Sequence, residues 1–255
     1  MDIDAETFFS AKFIWNDILC SAVEKKMPAS ADLYRKLLAD EAFSTAFKDT
    51  IGCETWIMTA ILDITSLEIK KSEQTSQGSL SIHGLVSQAN RVECVVDREM
   101  IRLSSLSQRP RPQVARNDET VPHDITQSIV YGHAVLIFLN TVVSGALAGV
   151  PEIHQSIARA ISSWEMIPPM MNPKHLSWAY STSASLATGS QREVFRNVVA
   201  RMSGLNVDLH GLREFHHGVE QCWEETDRSN TTCCNIPCDW RYVHKRLNLD
   251  ILFVV

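Results

Sequence analysis

From Phe8 to the last residues, apolar side chains recur every three or four positions. Nowhere do they alternate convincingly in twos. A chain patterned this way buries its apolar groups as packed helices, because three-to-four spacing lines one face of a helix and never one face of a strand. Phe9, Phe13, Ile14, Ile18 and Val23 set the first helix, which Pro28 stops, and Leu33, Leu37, Leu38 and Phe43 set a second across 31–47. Trp56, Ala60 and Leu67 form one seam of a third, 55–71, with Ile57, Ile61 and Ile64 beside it. A fourth, 81–103, turns Leu85, Val86, Ala89, Val92, Val95, Val96 and Met100 inward.

The segment 104–123 holds three prolines and little apolar period, so it is predicted to be a flexible surface loop between two helical subsets. A long apolar helix is expected over 125–150, closed by Pro151, which itself opens the next. Helices follow at 175–188, 191–202 and 209–226, and an amphipathic helix from Trp240 turns wholly apolar at Ile251–Val255. No internal repeat is visible. The fold class is therefore all-α, a multi-helix bundle forming a single domain over 1–255.

Charge narrows the partners. The net charge is −6 and no block of Lys and Arg occurs, whereas a duplex reader needs a basic face to neutralise phosphates. Direct nucleic-acid binding by these residues is not expected. The acidic start MDIDAETFF lacks the basic and apolar regions of a secretion signal, which predicts a cytoplasmic or nuclear, non-secreted protein. Its seven cysteines, an odd number, then fit reduced thiols better than a disulfide framework. The run 129–150 approaches membrane-span length, but His133, Asn140, Thr141, Ser144 and three glycines suit the central helix of a soluble bundle. No membrane span is expected.

Few residues invite chemistry. His133 and Asn140 lie seven apart, close to one helical face; in a core they either pair locally or line a wet cavity. Asp63 shares the seam of Trp56, where it is ion-paired to Lys70 or to another helix, exposed at the edge of the stripe, or buried alone with a raised pKa. Tyr131, Trp178 and Tyr180, with Trp56, could wall an apolar pocket, or simply pack the core. His210, His216 and His217 cluster near Glu220 and Cys222, but without metal-site spacing; neither they nor Cys233-Cys234 and Cys238 are read as a metal site. Nucleotide-loop and hydrolase motifs are missing too, so no metal and no cofactor is expected.

Several stretches resemble a known family. These are ETWIMTAILDITSLEIKK and GSLSIHGLVSQANRVE within 54–93, LIFLNTVVSGALAGVPEIHQSIARAI at 136–161, and SWAYSTSASLATGSQREVFRNVV at 177–199. VEQCWEE at 219–225 and CDWRYVHKRLNLDILFV at 238–254 complete the set. In order and spacing they are similar to the fungal-specific transcription factor domain, a helical regulatory region that normally follows a Zn2Cys6 DNA-binding cluster. The likeness spans roughly 45–255. It implies an all-α fold and carries across no catalytic residue. Only Cys20 and Cys53 precede residue 90, so the six-cysteine cluster is not present in this sequence.

Two functions follow as expectations. The first is a cofactor-free enzyme of fungal secondary metabolism that cyclises or isomerises an apolar small molecule, for instance by an intramolecular cycloaddition. His133 and Asn140 would be its hydrogen-bond donors, Asp63 a general acid or base, and Trp56, Tyr131, Trp178 and Tyr180 its walls. The second is a transcriptional regulator without its own DNA-binding domain, acting through an effector or heterodimerisation, with Ile251–Val255 as the docking patch. The sequence admits a homo- or hetero-oligomer in either case.

Overall fold

The computed structural model describes residues 4–107, 123–168, 171, 173–203, 210–231 and 238–249. Among them are eleven α-helices and no strand. They are α1 (Ala5–Glu24), α2 (Ala31–Ala39), α3 (Glu41–Ile51), α4 (Thr55–Ser76), α5 (Ile82–Ser107) and α6 (His123–Ser144). Then come α7 (Pro151–Glu165), α8 (Ser177–Ala184), α9 (Ser190–Ser203), α10 (His210–Thr231) and α11 (Trp240–Arg246). A short 3-10 turn, Pro173–Leu176, leads into α8.

α6 is the axis of the bundle. It packs against α4, α5, α7 and α8. It is apolar and long enough to cross a bilayer, yet 78% of its apolar window is buried, as in the core helix of a bundle. Tyr131 on α6 joins two ends of the core: its ring meets Trp15 of α1 edge-on at 5.1 Å and stacks on Trp178 of α8 at 6.0 Å. A second aromatic knot, Trp164, Tyr180 and Phe195, ties α7 and α8 to α9. Edge-on and offset ring pairs of this kind add about 1 kcal/mol each to the gain from burial.

Several boundaries depart from the pattern-based reading. The helix expected over 31–47 is two, broken at Asp40, whose backbone is extended (φ −74°, ψ 129°) and whose carboxylate accepts the Phe43 N–H to cap α3. α6 stops at Ser144 rather than 150, where Gly145 takes φ +90° and ends the ladder as only glycine does cheaply. α5 runs to Ser107, and α11 ends at Arg246, with Asn248 left-handed beyond it. Val86 and Val95, expected inside, are 40% and 41% exposed, while Leu103 completes the buried stripe. On α1 the true inner face is Ala11, Ile14, Trp15, Ile18, Leu19 and Ala22; Phe9 and Phe13 point outward. Most of the expected loop 104–123 and the tail 251–255 lie outside the described residues.

Glycine permits one close crossing. α11 lays His244 across Gly218 of α10, where a Cβ would sit 2.6 Å from His244 Nε2 and 3.0 Å from Leu249 Cδ1. His244 is fully buried and cannot retreat. Gly218→Ala is therefore expected to cost roughly 1–3 kcal/mol as overpacking. Gly132→Ala, where the Cβ would meet only the Met100 thioether, should be far milder because that side chain can swing away. Urea melts of the two variants compare them directly; equal losses would contradict this reading of the α10–α11 contact.

Candidate functional site

The residues singled out in the sequence do not converge. His133 is mostly buried, and desolvation, with Arg159 adding like charge, pushes its imidazole down to about 4. Asn140 donates to Ser156 Oγ of α7 at 3.0 Å, so it pairs locally across the α6–α7 contact. Tyr131 is fully buried and its hydroxyl donates to the His175 carbonyl at 2.6 Å. Tyr180 is bonded to His216 Nδ1 at 2.7 Å. Trp178 is core. Asp63 and Trp56 lie elsewhere, along a surface groove of about 390 Å³ between α2, α4 and α5. There Asp63 pairs with Arg35 at 2.6 Å rather than with Lys70, and its side chain is 42% exposed. Of these residues, Trp56 and Asp63 border this groove, and none borders the two clefts at the C-terminal end of α6. Polar groups on α6 thus fasten helices together.

A larger cleft than this groove lies at the C-terminal end of α6. It measures about 590 Å³ and lies between the C-terminal ends of α4 and α6, the side of α8 and the start of α11. Its apolar wall is Phe138, Val142, Leu186 and Trp240, and its polar rim is Ser72, Thr75, Thr141 and Thr182. The Thr182 side chain is buried, and its hydroxyl has no hydrogen-bond partner among the described residues. Lys71 reaches from α4 to the last turn of α6 and donates to the Val142 and Val143 carbonyls at 2.7 and 3.1 Å. A cation there satisfies two end carbonyls and complements the negative end of the helix dipole.

A buried ionic knot forms the floor. Asp239 caps α11 by accepting the Arg241 N–H. The Arg241 guanidinium uses all five of its N–H donors. Two go to Glu68 of α4 at 2.7 Å, two to Asp239 at 2.9 Å and one to the Ala22 carbonyl of α1 at 2.9 Å. Its face lies 5.3 Å from the Phe138 ring. Lys25 closes the set on Asp239 at 2.8 Å. Burial alone would raise the Asp239 carboxyl; the Arg241 bonds and charge, then Lys25, outweigh it and hold it well below the usual range. Burial would likewise lower the Arg241 pKa, but Glu68 and Asp239 raise it. Arg241 is saturated, so it fixes the cleft's shape and is not available to a guest; Lys25, Lys71 and Thr182 keep spare capacity.

Sequence reasoning missed this site. Its signal was the run Cys238-Asp239-Trp240-Arg241, in which an acid precedes a helix and an Arg follows two residues on. Glu68 sits on α4 between Leu67 and Ile69, and nothing local marks it as the partner.

The fungal specific transcription factor domain pattern matches residues 4–254, essentially the whole of the described bundle. The chain belongs to this family. It is similar to the ustiloxin B cluster transcription factor ustR of Aspergillus flavus, 34% identical over 100% of this chain and 43% of that protein. It is also similar to the transcription factor phomR' of Diaporthe leptostromiformis, 33% identical over 100% of this chain and 46% of that protein. The trichothecene biosynthesis transcription regulator TRI10 of Trichoderma arundinaceum is 27% identical over 78% of the chain. The chain thus spans less than half the length of these curated relatives. No solved structure matches it. These relatives overturn the expectation of a cyclase or isomerase: they are transcription factors and regulators. The physical cause of the error is plain, since polar residues on an apolar helix were read as a reaction chamber when Asn140 pairs locally with Ser156.

Proposed function

We propose that this chain is a regulatory region of transcriptional control in fungal secondary metabolism, working without contacting DNA itself. The observation that carries this reading is the family match across residues 4–254, joined to relatives whose names tie them to the ustiloxin B cluster and to trichothecene biosynthesis. The net charge of −6 supports the division of labour, because promoter phosphates demand a basic surface that these residues lack. Promoter selection then comes from residues other than these 255 or from an associated DNA-binding protein. The protein works in the cytoplasm or nucleus on this reading.

Two features support a means of control. The 590 Å³ cleft, with its aromatic wall, unpaired Thr182 hydroxyl and Lys71 at the rim, suits an apolar effector with a hydrogen-bonding end. Phe9 and Phe13, 68% and 65% exposed on adjacent turns of α1, suit a protein partner. Deleting the gene in its host is expected to change transcripts of the biosynthetic cluster it controls at least several-fold, read by RNA sequencing under producing conditions. Unaltered cluster transcripts, with a metabolite lost through a missing chemical step, would reject the regulatory reading. The purified chain should also leave promoter DNA unshifted at physiological salt.

A further inference from the structure

We propose that Cys222 and Cys238 form a reversible dithiol–disulfide pair, an oxidative modification site built into the wall of the cleft. Cys222 lies in the middle of α10, fully buried, and Cys238 immediately precedes the Asp239 cap of α11. The Cys238 thiol donates to the Cys222 carbonyl at 3.6 Å, so its sulfur rests against the residue that carries the other thiol. Cys238 is held in place from its other side, its N–H donating to the Ala146 carbonyl at 2.9 Å. The two cysteines are therefore held in contact although sixteen residues apart in sequence.

Access is unequal. Cys238 borders both the large cleft and a second one of about 320 Å³ beside the α6–α7 turn, so a small oxidant reaches it from either. Cys222 borders neither. The mutual influence of the two thiols also separates them: it lowers Cys238 against burial and, with burial, pushes Cys222 up. The partner that borders the clefts is thus the one whose ionisation is favoured, and the thiolate is the nucleophilic form. Two other described cysteines lack this arrangement: Cys94 is exposed on α5 and Cys53 is sealed in the core.

The chemistry closes with a hydroperoxide as oxidant. The Cys238 thiolate attacks the peroxide O–O bond, giving a sulfenic acid and releasing the alcohol, or water from hydrogen peroxide. The Cys222 sulfur then attacks the Cys238 sulfur, its proton leaves with the hydroxide as water, and an S–S bond forms. Two thiols lose two electrons and two protons in all, and the peroxide is reduced. In a glutathione-rich compartment a thiol reverses the bond by exchange, so the cross-link is transient. Because Asp239 and Arg241 follow directly, the bond clamps α10 to the segment that carries the ionic knot. This inference stands on the thiol geometry and not on the regulatory reading.

The full chain, reduced and folded, is treated with hydrogen peroxide, quenched with N-ethylmaleimide and mapped by mass spectrometry. The expected product has lost two hydrogens, joins the Cys222 and Cys238 peptides, and reverts with dithiothreitol. In Cys222→Ser, dimedone should label Cys238; in Cys238→Ser, Cys222 should stay reduced. Circular dichroism identifies any variant that has not folded, and the unmutated map decides the matter alone. Both thiols still alkylatable while Cys94 oxidises would overturn the proposal. So would a cross-link that appears only in urea, or Cys238 joined to Cys233 or Cys234 instead.

Discussion

Arg241→Ala is expected to lower stability by about 3–5 kcal/mol, a loss that can approach the whole stability of an ordinary domain. The Arg241 side chain is 9% exposed and Glu68 14%, so removing the guanidinium leaves two carboxylates confined beside one another with only Lys25 to offset them. The Coulomb attraction within the knot offsets desolvation only while every donor and acceptor is matched, and here five bonds vanish together. A chain of this size should melt roughly 10 °C lower. Two comparisons isolate the cause. Lys26→Ala, whose 3.9 Å pair with Glu24 is exposed on both sides, should move stability by under about 0.5 kcal/mol. Arg241→Met combined with Glu68→Met should recover much of the loss, because the unpaired charge and not the missing bond is what costs most. A loss under about 1 kcal/mol for Arg241→Ala would show that the knot is wet and open.

The helices were legible in the sequence because periodicity is a local signal. Trp56, Ile57, Ala60, Ile61, Ile64 and Leu67 mark α4 within its own length, and all but the half-buried Trp56 are buried. The break at Asp40 was not legible, because helix-like spacing continues across it and only the extended backbone reveals a cap. The outward turn of Phe9 and Phe13 was hidden for a similar reason. Two overlapping stripes run along α1, and tertiary contact with Tyr131 through Trp15 decides which one faces inward. The site was least legible of all. Arg241 and Glu68 stand 173 residues apart, and a pairing at that separation leaves no trace in any window of sequence. His133 and Asn140 drew attention because polar groups on an apolar helix look like function. Asn140 instead meets Ser156, and His133 sits desolvated beside Arg159.

That desolvation leads to the second large effect, instability in mild acid. Among the described residues burial lowers four imidazoles, His216 and three others that it takes far enough down to stay neutral through mild acid. Burial, with Arg159, takes His133 to about 4. Burial and the Lys12 charge take His175 to about 4, and the Ile51 backbone only partly opposes them. Burial takes His244 to about 3 against the weak pull of Asp239. Geometry agrees for two of them. Lys12 Nζ donates to His175 Nε2 at 2.8 Å, which requires a lone pair there, and neither His244 nitrogen has a partner among the described residues. All three folded values lie below the unfolded value near 6.5, so between pH 6.5 and about 4 the unfolded chain takes up protons that the folded chain refuses. Stability is therefore complete above pH 6.5 and falls as pH falls through that window. At pH 5 each buried imidazole forfeits up to about 2 kcal/mol; discounted for the partial exposure of His133 and His175, the total is about 3–5 kcal/mol. Asp239, held low by Arg241, adds its own loss as pH falls through about 4, where the unfolded carboxyl takes up a proton that the folded one still refuses. Urea midpoints at pH 7.5, 6 and 5 should drop steeply, and His244→Leu should remove roughly a third of the drop while sparing stability at pH 7.5. Superimposable urea curves at pH 7.5 and 5 would mean that these rings are charged or hydrated in the folded protein, and the packing described for α11 over Gly218 would then be wrong.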